Sequence, residues 1–401
     1  MKILSQSDIK VIHFSTTHDG GAGFAARRLN AELNIQGLSS IFIAIKRPSY
    51  LPSLNEYALR RPLFKSLSSF VTTRLQKNLS RKIDFDIIGV TTLPVKKIIK
   101  SVNPASTILH FHNFYNLVTL NQMVKLSRHG FRIMVTLHDQ RFFTGGCHHS
   151  FDCEMYQSGC AKCPLVSTKL SYLPGLSLKT LSESDRIEIS KFLIHCPSNW
   201  IASTARKSKI LKGNKIVVIP NIYSHELASA ACDYYAFYNF NKDKISQKLI
   251  VGIANASKES YVKGSDLVNQ LILDVVKMKI DVSFLYLADV SKNNVVTDFW
   301  QSIDYLLILS RIDNSPNVIS EAKIFGIPII GSNVGGIPEL LSENTDYLYE
   351  QNTELVKTLT SDFRDRKFNT LDKELAQKRS EAYIEKERDR GQEFLKIYQE
   401  F

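Results

Sequence analysis

Residues 310–341, SRIDNSPNVISEAKIFGIPIIGSNVGGIPELL, gather side chains suited to holding a charged ligand. An apolar run ends at Leu309, a polar loop follows with Asp313 and Asn314, and a helix is expected to open near Pro316 with Asn317. Backbone N–H groups and the positive end of the helix dipole collect at such a start, and a diphosphate suits them. Glu321 comes one helical turn further in, where a carboxylate can accept two hydrogen bonds from ribose hydroxyls. Gly335 and Gly336 mark a second tight turn at the next strand end. The plainer reading is a capped surface helix followed by an ordinary glycine turn.

Four further segments carry candidate chemistry. In GIANASKESYVKGSDLV, Lys263 and Gly264 stand where a helix should begin, and a lysine there can neutralise a leaving phosphate; a solvated lysine is the alternative. In THDGGAGFAARRLNAEL, Gly20, Gly21 and Gly23 let backbone approach a ligand closely, or simply make a tight strand-to-helix turn. RIMVTLHD ends in His138 and Asp139; a histidine at a strand end either meets a ligand or bridges backbone groups. TGGCHHSFDCEMYQSGCAKCP places Cys147, Cys153, Cys160 and Cys163 together, with His148 and His149 as spare donors. Four thiolates suit a structural zinc with no open coordination position, and reduced buried cysteines stabilising a loop are the other reading.

These residues need elements to position them. Val11 to Ser15, Ser40 to Lys46, Thr107 to His112, Arg132 to His138, Leu193 to Pro197 and Lys215 to Pro220 read as short β-branched strands with helices between them. Such alternation implies a parallel sheet with helices on both faces, whose ligands collect at the carboxyl ends of the strands. After Asn221 the pattern breaks into an aromatic, polar stretch. A second series then starts with a strand at Lys248 to Ala254, followed by a helix after Gly264, strands at Val282 to Ala288 and Tyr305 to Leu309, a helix from Asn317 to Phe325 and a strand at Pro328 to Gly331. Residues 372–398, rich in Glu, Lys, Gln and Arg, read as one long amphipathic helix.

Composition bounds the partners. A chain of 401 residues that is 44% hydrophobic has length enough for two cores, which excludes disorder. No run reaches the roughly 18 apolar residues of a spanning helix, and MKILSQSDIK lacks the apolar core of a secretion signal, so a cytoplasmic protein is expected. The net charge of +12 favours anionic partners. Residues 60–82, RRPLFKSLSSFVTTRLQKNLSRK, concentrate it: apolar positions at helical spacing and seven basic residues with no acid suit an anionic lipid surface, or else a helix packed on its own sheet. Beyond two Phe the segment lacks interleaved stacking aromatics, which argues against nucleic acid.

The 310–341 segment resembles the retaining glycosyltransferases of family 4, which have the GT-B fold. Their signature is matched by Asp313 and Glu321 with seven residues between them, Ala322, Gly326-Ile327-Pro328 and Gly335-Gly336-Ile337-Pro338-Glu339. The first acid is usually Glu, and Asp313 is shorter by one methylene. The resemblance implies two Rossmann-like α/β domains facing a central cleft: residues 1–222 on the acceptor side with a Cys-rich insertion at 140–180, residues 247–380 on the donor side, and a terminal helix, 381–401, crossing back to the first domain. It implies donor binding by Lys263 and Gly264 on the diphosphate, with Lys258 partly replacing the family's usual Arg. Asn317, Gly335, Gly336 and the loop with Gly20 and Gly21 join the donor site, Glu321 holds ribose, Asp313 the sugar hydroxyls and His138 the donor sugar. His138, Asp313 and Lys263 are then the catalytic residues.

A subset of the family that builds bacterial surface polysaccharides has a similar Thr-Gly-Gly-Cys segment. The implied activity is metal-independent, retaining transfer of a sugar from a UDP or GDP donor to a glycan or lipid-linked acceptor, in O-antigen, capsule or exopolysaccharide synthesis at the cytoplasmic face of the inner membrane. A nucleotide-sugar epimerase on the same scaffold and a non-catalytic nucleotide-sugar-binding relative are the alternatives.

Overall fold

The strands are short and apolar on both faces, which suits parallel sheets covered by helices on each side. The computed structural model describes residues 10–45, 55–59, 91–166, 171–179, 181–237, 248–254, 259–290 and 296–401. The basic 60–82 segment and Lys258 lie outside the described residues. Two compact units result: residues up to Ile222 together with Arg390–Phe401, and Tyr223–Asp389.

In the first unit β1 (Val11–Ser15), β2 (Ser40–Ala44), β3 (Glu56–Ala58), β4 (Ile108–Phe111), β5 (Arg132–Thr136), β6 (Leu193–Cys196) and β7 (Ile216–Val218) pair in the order β3-β2-β1-β4-β5-β6-β7. All the pairings are parallel. Because side chains alternate along a strand, Ile12 and Phe14 face one core with Leu109, Phe111, Ile133 and Val135. Val11, Ile108, Met134 and Leu193 face the other, against Leu29 and Leu33 of the Gly20–Ile35 helix and Phe394 and Tyr398 of the Arg390–Glu400 helix. Phe394 is fully buried there, a contribution of roughly 2 kcal/mol.

In the second unit β8 (Leu249–Ile253), β9 (Val282–Tyr286), β10 (Tyr305–Ile308), β11 (Ile329–Ser332) and β12 (Tyr347–Tyr349) form a parallel sheet in the order β12-β11-β10-β8-β9. The chain goes outward from β8 to β9, then reverses to β10 on the other side of β8. The loops after β8 and β10 therefore diverge at a topological switch point, where open α/β sheets bind ligands.

Several elements differ from the sequence expectation. The single helix expected over 372–398 is two, Lys373–Glu387 and Arg390–Glu400, and they belong to different units. Each needs its own buried stripe, and a break at Arg388–Asp389 lets the second present Phe394 and Tyr398 to the first unit's core. The polar stretch after Asn221 contains the helix His225–Phe237, anchored where the Tyr235 hydroxyl donates to the Phe325 carbonyl at 2.7 Å. The edge strands β3 and β12, three residues each, are too short to show a pattern. The strand expected through Ala288 ends at Tyr286, where a turn of helix, Leu287–Val290, takes over.

Candidate functional site

The second unit builds its site from two glycines. Gly264 opens the Ser265–Lys277 helix at φ +68°, and a Cβ there would lie 1.9 Å from the carbonyl oxygen of Leu309, at the end of β10. Gly335 has φ +60°, and its Cβ would lie 1.9 Å from the carbonyl oxygen of Asp313. Only glycine satisfies both the left-handed backbone and the close approach. The loops after β8, β10 and β11 are thereby pressed together, and the Gly336 N–H donates to the Asp313 carbonyl at 2.9 Å.

That packing brings the Lys263 ammonium to 2.5 Å from the Asp313 carboxylate, an ion pair at the switch point. Asp313 is mostly buried, whereas Lys263 keeps 40% of its side chain exposed, so the cation stays accessible to an anion. Four residues after Asp313, Asn317 starts the helix Asn317–Ile324, whose N-cap residue, Pro316, makes no side-chain capping bond. Glu321 lies half-buried on the same helix. Lys263, Gly264, Asp313, Gly335 and Gly336 thus form one contact network, with Asn317 and Glu321 on the helix that leaves it.

Sequence reasoning missed Arg311. Its guanidinium makes two 2.6 Å bonds to the Asp266 carboxylate, donates to the Tyr261 carbonyl at 2.9 Å and lies 4.0 Å over the Tyr261 ring. Hydrogen bonds and charge attraction between the two hold Asp266 below and Arg311 above their ordinary pKa values. An arginine therefore adjoins the Lys263 loop without being a spare cation, since its charge is already matched.

In the first unit Gly20 begins its helix at φ +81°, and added Cβ atoms at Gly20 and Gly21 would meet open space. Gly21 has no positive φ, so backbone geometry does not require its glycine. A Cβ on Gly23 would lie 2.5 Å from the His18 carbonyl oxygen, which makes Gly23 a packing glycine within the turn.

His138 follows β5 and belongs to a histidine cluster that the sequence analysis did not collect. His138 Nε2 lies 3.1 Å from His112 Nδ1, and His112 Nε2 lies 3.0 Å from His13 Nδ1. Beside this chain, His110 joins the Tyr398 hydroxyl at 2.5 Å and the Thr136 hydroxyl at 2.7 Å, and Thr136 meets His195 at 2.8 Å. Odd-and-even alternation was the available signal: positions 13, 110, 136 and 195 fall on the face that carries Val11, Ile108, Met134 and Leu193. Burial lowers His13 and His138 to about 3 and His195 to about 4, so all three are neutral near pH 7. His110 and His112 are also driven well down, first by burial and then by neighbouring histidines. Ring nitrogens of His13, His110 and His112 lie within 4.8 Å of one another; those of His110 and His112 are engaged by Tyr398, Thr136, His13 and His138, whereas His13 Nε2 is buried with no hydrogen-bond partner among the described residues. Asp139, next to His138, is clamped by Arg141 through bonds of 2.6 to 3.0 Å; that charge outweighs burial and holds its carboxyl well below the usual range.

No protein-family profile matches the chain. By sequence it is 20% identical over 416 residues, 96% of each chain, to WcaC of Escherichia coli strain K12, a glycosyl transferase provisionally assigned to colanic acid biosynthesis. By structure it is similar to Anabaena HepE in complex with UDP-glucose, with TM-score 0.56, 12% identity, and 98% and 99% of the two chains covered. It is also similar to the pneumococcal O-GlcNAc transferase GtfA in complex with UDP and GlcNAc, with TM-score 0.58, 10% identity, and 98% and 99% covered. The chain has the GT-B fold. Its relatives by sequence and by structure are glycosyltransferases.

Within this GT-B chain the four cysteines of the first unit also come together. Cys147, Cys153, Cys160 and Cys163 line one small cavity, and all are free thiols. A separate cavity of about 150 Å³ lies beside it, walled by Phe114, Tyr115, Asn116, Arg141 and Phe142, with Thr144 and Gly145 shared between the two. Among the described residues no helix of this GT-B chain is long and apolar enough to cross a membrane.

Proposed function

We propose that this GT-B protein is a retaining, metal-independent glycosyltransferase that moves a sugar from a UDP or GDP donor to a glycan or lipid-linked acceptor in surface polysaccharide synthesis. The observation that carries this reading is the Lys263–Asp313 pair at the switch point, beside the start of the Asn317 helix. Departure of a nucleoside diphosphate builds negative charge on phosphate while the sugar becomes oxocarbenium-like. A half-exposed ammonium and a helix start oppose that charge most strongly where it is greatest, in the transition state.

Glu321 then holds ribose, Asp313 holds sugar hydroxyls and positions Lys263, and Gly335 and Gly336 let backbone approach the donor. His138 is the first unit's contact to the transferred sugar, and Gly20 and Gly21 open its glycine loop. Support for a UDP donor comes from HepE and GtfA, both described in complex with UDP compounds. Support for polysaccharide synthesis comes from the similarity to WcaC along nearly the whole chain. Docking of the basic 60–82 segment on anionic inner-leaflet lipid completes the proposal.

A thermal-shift series with UDP, GDP and their sugars tests it, because a ligand of the folded state raises stability. One of these compounds should stabilise the protein, and Glu321→Ala should remove much of the effect. A shift that is unchanged in that variant would put the donor elsewhere.

A further inference from the structure

The segment from Leu137 to Ser171 leaves β5 and runs on with only one turn of 3-10 helix, Met155–Gln157, among its described residues. Irregular segments this long inside a compact unit need something to order them. Part of the answer is local: the Gln140 side chain accepts from the Ser150 N–H at 2.5 Å, and the Thr144 hydroxyl donates to the Cys147 carbonyl at 2.8 Å. The rest centres on sulfur. All four cysteines of the segment border one cavity, and Cys160 is held at φ +56°, a backbone that non-glycine residues rarely adopt. A backbone N–H points at one of these sulfurs: Gly145 donates to Cys160 Sγ at 3.3 Å. Such a donor stabilises a thiolate far more than a neutral thiol.

We propose that Cys147, Cys153, Cys160 and Cys163 bind one structural zinc ion, which cross-links the segment and fixes the wall of the adjoining 150 Å³ cavity. Four soft sulfur donors with no oxygen ligand suit zinc, and each thiol gives its proton to solvent on ligation. A tetrahedral thiolate site needs sulfurs about 3.8 Å apart, from Zn–S bonds of about 2.3 Å. In the structure no three of these four sulfurs lie within 4.8 Å of one another; only His13, His110 and His112 do so among the described residues. One χ1 step moves a cysteine sulfur by about 3 Å, so side-chain turns around the shared cavity suffice to close the site. Through Thr144 and Gly145, which line both cavities, the ion would set the shape of the larger one without touching substrate.

Elemental analysis of the full-length protein, purified without chelator, tests this directly. We expect close to one zinc per chain, and all six cysteines reactive with a thiol reagent after denaturation with chelator. The double variant Cys160→Ser, Cys163→Ser should lose the metal. If that variant is insoluble, cobalt exchanged into the wild-type protein should give the intense sulfur-to-cobalt absorption of a tetrahedral thiolate site. The proposal is overturned by a zinc content below about a tenth per chain, by disulfides that leave only two reactive thiols, by metal that persists in the double variant, or by a cobalt spectrum without thiolate bands.

Discussion

Lys263 and Asp313, fifty residues apart in the chain, meet at 2.5 Å because Gly264 and Gly335 draw their loops together. A partly exposed ion pair adds about 1 kcal/mol or less to stability, so its place at the switch point is better explained by ligand binding than by folding. Lys263→Ala should lower turnover about 10²- to 10³-fold and abolish stabilisation by a nucleotide sugar, while the melting temperature of the free protein moves little. Calorimetry with and without the donor would check this, and a large loss of apo stability with donor binding retained would sink it.

Gly335→Ala should disrupt the same site through the backbone. The new Cβ meets the Asp313 carbonyl oxygen at 1.9 Å in a left-handed residue, and a cost of about 3 kcal/mol is expected. Gly20→Ala is the contrast: its φ of +81° is strained but its surroundings are open, so about 1 kcal/mol is expected. Urea midpoints of the two variants should differ in that order, and equal midpoints would refute the close-approach argument.

Arg311→Ala should leave donor binding intact. Asp266 already matches the guanidinium and is 58% exposed, so the stability loss should be about 1 kcal/mol or less. Loss of the donor-induced thermal shift in this variant would instead make Arg311 a phosphate ligand.

The histidine cluster predicts acid sensitivity. Burial depresses the folded-state pKa of His13 and His138 to about 3 and of His195 to about 4, against 6.5 unfolded. Above pH 6.5 both states are neutral and stability is unaffected. Below it the unfolded chain takes up protons that the folded chain refuses, so stability falls by about 1.4 kcal/mol per pH unit for each such imidazole until the folded pKa is reached. Denaturation at pH 7, 6 and 5 should show a slope of more than one proton, reduced in His195→Gln. A flat profile would mean the rings are solvated.

The strand-end residues of the second unit were legible in the sequence because glycine, proline and acidic residues at fixed offsets make turn chemistry local. Lys263, Asp313, Gly335 and Gly336 could each be named from their own neighbourhoods. Arg311 could not, because its match with Asp266 spans two loops that only the fold juxtaposes. The histidines were hidden for a similar reason: His13, His110, Thr136 and His195 stand on four different strands, and only sheet order makes them neighbours.

By itself the sequence determined the alternation of strand and helix, the parallel character of both sheets and the identity of the loop residues, since apolar periodicity and turn residues act over a few positions. The tertiary structure decided which loops meet at the switch point, that the last helical stretch divides between two units, and that His13, His110, His112 and His195 are buried together with His138 half-buried beside them. Those outcomes depend on strand order and on packing between segments tens to hundreds of residues apart, which no local pattern encodes.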